Sequence, residues 1–158
     1  MAMATVPLIG DRLHAVNQLL SVSGYTIHTR RYFPTEITTG LLPMLVPTWG
    51  RQGISVPDAG GGQFQGARLW EIRLYAGQWM MGYPSESAQK AAEAIIDPLI
   101  ALYVRRPRLE LQAGGDALDG VLLVEMQEDS GLVSDETGTI ALVRLPVLVQ
   151  AHFSFSYV

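Results

Sequence analysis

The chain has 158 residues, 48% of them apolar and only 16% charged, with a net charge of −4. That length fits one domain able to bury a core without a metal or disulfide, and the acidic balance excludes an affinity for nucleic acid driven by phosphate neutralisation. The absence of cysteine excludes disulfides, thiol catalysis and cysteine-ligated zinc, and suits a reducing cytoplasm.

Asp11 to Ser23 is predicted to be a helix, with Leu13, Val16, Leu19 and Leu20 at helical spacing, Asp11 as N-cap and Gly24 as the stop. Tyr25 to Tyr32 reads as a strand closed by Pro34. The apolar run Leu41 to Val46, which holds Pro43 and ends at Pro47, reads as an edge strand. Arg51 to Gly66 carries Gly53, Pro57, Gly60, Gly61, Gly62 and Gly66, the composition of a flexible loop that assembly would order. Ala67 to Tyr75 follows as a strand, with Trp70, Ile72 and Leu74 on one face and Glu71, Arg73 and Tyr75 on the other.

Ser85 to about Arg106 is the main helix. Ala88, Ala92, Ile95, Ile96, Leu99, Leu102 and Tyr103 form its apolar stripe, and Arg105 and Arg106 lie at the end where cations are favoured. Asp97-Pro98 implies either a kink or a second short helix capped by Asp97. Val121 to Gln127 reads as a strand, and Glu128 to Gly138 as an acidic hairpin connector. The end of the chain shows the strongest pattern. Val143, Leu145, Val147, Val149, Ala151, Phe153, Phe155 and Tyr157 are all apolar, and polar residues are interleaved from Arg144 to Ser156. The whole predicts one α+β domain over residues 1–158, a mostly antiparallel sheet with helices packed on one face, and a flexible loop at about 51–66.

Catalytic constellations are not recognisable. His14, His28 and His152 lack metal-site spacing, and Gly60-Gly61-Gly62 has no lysine nearby for a phosphate loop. Glu125, Glu128, Asp129, Asp135 and Glu136 lack the spacing of a calcium loop and read as a solvated hairpin tip. Arg105, Arg106 and Arg108 form the main basic cluster, and Arg30 and Arg31 a lesser pair. Trp70, Trp79 and Tyr83 would be the aromatics of a small-molecule pocket, though such residues more often fill cores. No apolar stretch is long enough to span a membrane, and Met1 to Gly10 has no basic, then apolar, secretory pattern. So few charges favour a chain whose apolar surface is covered by another chain; a well-buried monomer is the alternative.

This layout resembles the tail terminator (tail completion, or minor tail) proteins of long-tailed bacteriophages. The matching features are the short leading helix, Leu41-Leu42-Pro43-Met44-Leu45-Val46-Pro47, the glycine-rich loop and the strand Arg68 to Tyr75. The alanine-rich helix Ser87 to Tyr103, the acidic linker and the long final strand complete the match. The resemblance implies a ring of identical subunits, usually hexameric, assembled in the host cytoplasm and built into the virion. It stops growth of the tail tube and docks the head connector, with DNA only as passing cargo, which a negative charge would suit. It implies no enzyme activity, catalytic residue, metal or cofactor. Its expected partners are other copies of the chain, the tube protein and the neck proteins; another neck role, head closure or adaptor, stays open. Phe153 to Val158 departs from the family by carrying the apolar alternation to the last residue. Candidate contact residues are Gly60, Gly61, Gly62 and Phe64 in the loop, Arg105, Arg106 and Arg108, and Phe153, Phe155 and Tyr157, the last three either core or interface.

Overall fold

A computed structural model describes residues 4–49, 63–112 and 114–154, with backbone alone at 63–65, 153 and 154. Helix α1 runs Val6–Asn17, not Asp11 to Ser23. Thr5 is the N-cap, its hydroxyl accepting from Leu8 N–H at 3.3 Å. Pro7 lies in the first turn, where a missing N–H costs nothing. Asp11 is therefore mid-helix, and Gly24, with φ 87°, serves a later turn. The expected strand 25–32 shrinks to β1, His28–Thr29, which pairs in parallel with β2, Met44–Trp49. Beyond β1 the chain rounds the edge of the sheet. Arg31 reaches back to Asp11 on α1 (2.8 Å), while the Phe33 ring stands 5.2 Å from Tyr75 on the opposite face.

Strand β2 begins after Pro43, and residues 39–41 form a short 3-10 turn. It lies one place in from the edge, but β1 covers only its start. The carbonyls of Pro43 and Leu45 accept from His28 and Arg30 (both 2.9 Å). Pro47 faces the same way two residues on, past the end of β1, so its missing N–H falls on an edge left open by β1.

Strand β3 spans Gln63–Met80, well beyond the expected Ala67 to Tyr75; residues 63–66, expected in the loop, belong to it. Residues 51–62 of that loop lie outside the described residues. Strand β4, Tyr83–Pro84, folds back on β3 through a two-residue turn. Ser85 caps α2, Glu86–Val104, by accepting from Ala88 N–H (3.2 Å), and Glu86 pairs with Lys90 at 2.9 Å. Pro98 sits inside this one continuous helix, so Asp97 caps no second one.

Strand β5, Val121–Met126, β6, Leu132–Ser134, and β7, Ile140–Ser154, complete the sheet. The connector expected at Glu128 to Gly138 thus contains β6. Its tip is organised by Asp135, whose carboxylate accepts from Thr139 and Ile140 N–H (both 3.1 Å) and from the Thr137 hydroxyl.

The fold is α+β, with strand order β1-β2-β3-β7-β5 and β6 beside β7 on the β5 side; among the described strands only β1 and β2 pair in parallel. Ile9, Leu13 and Val16 of α1 and Ala88, Ile95 and Leu99 of α2 share one core with Trp70, Ile72 and Leu74 of β3 and the odd-numbered Val143 to Ala151 of β7. The helices are joined by the buried Tyr103 hydroxyl, which donates to Asn17 Oδ1 (2.6 Å) and Leu13 O (3.1 Å). Burial pushes that phenol's pKa well up. The other face holds a second cluster, Met44, Val46, Tyr75 and Leu142, against which Ile37, Leu41 and Leu42 pack.

Candidate assembly surfaces

Alternation along β3 and β7 sends Glu71 and Arg73 to the face opposite the helices, and the register sets Arg73 directly across from Arg144. Two cations facing each other on neighbouring strands repel. Glu71 resolves this by lying against both. Its carboxylate accepts from Arg73 Nε and Nη2 (both 3.2 Å) and from Arg144 Nε (3.0 Å) and Nη2 (2.9 Å). Arg73 Nη1 also donates to the Tyr75 hydroxyl at 3.4 Å. Burial opposes the charge on Arg73, but Tyr75 and Glu71 outweigh it and raise its pKa. Burial also raises the Tyr75 phenol, against the pull of Arg73. A groove of about 330 Å3 opens over this cluster, walled by Thr48, Ser134, Glu136 and Thr137. Arg73 donates from Nε and Nη2 to Glu71 and from Nη1 to Tyr75, and Glu71 is fixed between two guanidinium groups. The cluster thus ties β3 to β7 across the middle of the sheet. Sequence alternation put Glu71 and Arg73 on one face but gave no sign of Arg144, whose place depends on the β3–β7 register.

The large apolar side chains left in solvent fall in separate places. At the β3–β4 tip Met80 is 56%, Met81 95% and Tyr83 75% exposed. At the β2 edge the values are 70% for Tyr32, 50% for Phe33 and 56% for Trp49. Trp49 stacks at 6.3 Å on the buried Trp70, Arg68 lies 5.1 Å over Trp49, and Arg31 lies 4.3 Å over Tyr32. Burial lowers the pKa of Arg68. Leu122 and Leu123 of β5 are also exposed.

The residues singled out in the sequence are dispersed. Gly60, Gly61, Gly62, Phe155 and Tyr157 lie outside the described residues. Phe64 and Phe153 stand opposite each other in the β3–β7 register. Arg105 is the exposed C-cap of α2, Arg106 Nη1 donates to Leu102 O (3.1 Å), and Arg108 Nε donates to Val121 O (3.1 Å). Two of these arginines therefore close the chain's own backbone. Trp70 is core, Tyr83 is exposed, and Trp79 is nine residues along β3 from Trp70, so the three aromatics do not line one pocket. The surfaces at Met81 and Trp49 were missed. A Met-Met-Gly turn and a tryptophan beside a glycine-rich run were the available signs.

His14, His28 and His152 sit in α1, β1 and β7, and no group of three candidate metal ligands occurs among the described residues. Burial lowers the His14 pKa, helped by Arg31 and opposed by Asp11 and a backbone bond to Arg30. The unfolded chain then binds a proton at higher pH than the folded one. Stability from this group is full above about pH 6.5 and falls as pH drops toward the folded value. Denaturant midpoints between about pH 7.5 and pH 5 should decline less steeply for His14→Gln than for the parent. Equal slopes would remove His14 as the cause.

In comparison with known proteins, no family model and no curated protein matches the chain.

Proposed function

We propose that this chain is a structural subunit that forms a ring with copies of itself, most simply a hexamer, in a bacteriophage virion. The ring ends growth of the tail tube and joins the tail to the head connector, and DNA passes through it as cargo. The reading gives the subunit no catalytic step and no cofactor. The observation that carries it is that exposed apolar groups fall on several unlike surfaces, among them the β2 edge with Tyr32, Phe33 and Trp49 and the β3–β4 tip with Met80, Met81 and Tyr83. Unlike surfaces on one subunit suit head-to-tail contacts, which generate closed rings when the rotation closes. The order of segments, similar to that of tail terminators, supplies the place in the virion.

Immunogold labelling of phage particles tests this. Label is expected at the head-proximal end of tail tubes, including tubes not yet joined to heads. Label that stays with tailless heads instead would assign the ring to head closure or an adaptor. Particles without label, or holding a single copy, would overturn the reading.

A further inference from the structure

We propose that residues 31–42 form a strap over the far face of the sheet, latched to α1 by Arg31, and that acid releases this latch through His14 and uncovers the second apolar cluster. The inference concerns the single chain and does not rest on the ring reading.

The strap leaves the sheet after Arg30, whose N–H donates to Leu45 O, and rejoins it at the start of β2. Between these points it crosses the face opposite the helices, where Ile37, Leu41 and Leu42 pack on the cluster of Met44, Val46, Tyr75 and Leu142. Among the described residues, no backbone hydrogen bond joins residues 31–42 to the rest of the chain. The N–H groups of Leu41 and Leu42 donate within the strap, to the carbonyls of Thr38 and Thr39. Its side-chain tie to the body is Arg31 Nε donating to Asp11 at 2.8 Å. A segment held by apolar contacts and one polar tie belongs to the least stable part of a fold and can open without global unfolding.

The helix is shaped for that tie. Gly10 is buried in α1, and a β-carbon there would fall on the Arg31 guanidinium, so the glycine leaves a seat for it. The seated side chain is only 17% exposed and lies 4.3 Å over the Tyr32 ring. His14 is four residues on from Gly10, one turn along the same helix face. Its imidazole therefore stands beside a held cation. Burial and then Arg31 oppose its protonation, and Asp11 and a backbone bond to Arg30 offset them only in part. Other elements pack on α1 as well. Of these, β2 has no titratable side chain, and α2 presents Tyr103, whose hydroxyl is bound to Leu13 and Asn17. The loop after α2 presents the Leu109 and Asp116 carbonyls to Arg12.

Opening returns His14 to water and takes Arg31 away from it, so the open form binds a proton at higher pH than the closed one. The closed form is fully favoured above about pH 6.5 and loses ground below it, by up to about tenfold per pH unit, the limit for one proton.

The chain has no cysteine, so single engineered thiols report the opening without background. Val46 is fully buried in the cluster beneath the strap, and Val147 is fully buried in the core on the helix side. Full chains carrying Val46→Cys or Val147→Cys are treated with dithiodipyridine between about pH 7.5 and pH 5. Each rate is divided by that of Met81→Cys, an exposed position, at the same pH. Val46→Cys should react several-fold faster in acid, and Val147→Cys should not. Adding His14→Gln should remove the rise. Adding Gly10→Ala, which changes no charge and favours the helix, should speed Val46→Cys already at neutral pH. If Val46→Cys does not fold, Leu142→Cys, in the same cluster, carries the same test. Equal acceleration at the two buried positions would mean global unfolding and overturn the strap. A rate under the strap that is flat with pH, or a rise that survives His14→Gln, would overturn the acid latch. An unchanged rate with Gly10→Ala would show that Arg31 is not the tie, and overturn it too.

Discussion

Exchanging Glu71 for glutamine should lower the unfolding free energy by about 3 kcal/mol, the low end of the cost of removing one partner from a buried ion pair. Glutamine keeps the shape and removes the charge. Arg73 and Arg144 are then left facing each other across β3 and β7 with no negative charge between them. The low end applies because the Arg144 side chain is 42% exposed and can turn into solvent. For the same reason Arg144→Gln should cost under about 1 kcal/mol. Urea titrations of the two variants check the asymmetry. Equal losses would mean that Glu71 is not the centre of the cluster. A loss of about 3 kcal/mol is a large share of the 5–15 kcal/mol that holds a typical domain together.

The second large effect is expected at Gly77. A β-carbon there would stand 2.8 Å from Ala88 Cβ and 3.0 Å from Ala88 Cα. The latter atom is helix backbone and cannot swing aside as a side chain would. Gly77 also follows the register shift in the β3–β7 pairing, where β3 passes beneath the first turns of α2. Gly77→Ala should therefore force α2 off the sheet at a cost of about 1–3 kcal/mol, and lower the melting temperature by several degrees. Ala88→Gly removes the nearer of the two atoms. Combined with Gly77→Ala it should cost less than the two single changes added together, although glycine in a helix is itself unfavourable by about 1 kcal/mol. Strict additivity in calorimetry would rule out the contact as the source.

What could be read from the sequence was what depends on short-range periodicity. The odd-numbered residues from Val143 to Ala151 do face the core, as do Trp70, Ile72 and Leu74, and Ser85 does start the main helix. Errors fell where a local signal competed with a longer-range one. Asp11 is a good cap, but Thr5 with Pro7 two residues on is a better start, and residues 18–23 leave the helix although Leu20 still packs on the core. Tyr25 to Tyr32 has strand character, yet only the two residues alongside β2 pair. Residues 63–66 look like loop by their glycine context and become strand because β7 extends far enough to pair with them. Of the surfaces, the sequence could not show that Met81 and Trp49 are exposed, because burial is decided by the sheet register and by how far α1 and the 30–33 segment reach.

The β3–β7 pair also constrains how the chain reaches this fold. It forms the middle of the sheet, running from Gln63 opposite Ser154 to Gln78 opposite Ile140. Its partners are separated by about 60 to 90 positions of chain, so the centre of the molecule closes only after a long and entropically costly loop. Local units, α2 and the antiparallel pairing of β5 and β6 with β7, can form early, whereas β3 must wait for a strand synthesised much later. Folding dominated by such distant pairings is slow and leaves strand edges open while it proceeds. A chain of this design is most exposed to aggregation before β7 docks, and lowering expression temperature should raise its soluble yield more than adding stabilising surface charges.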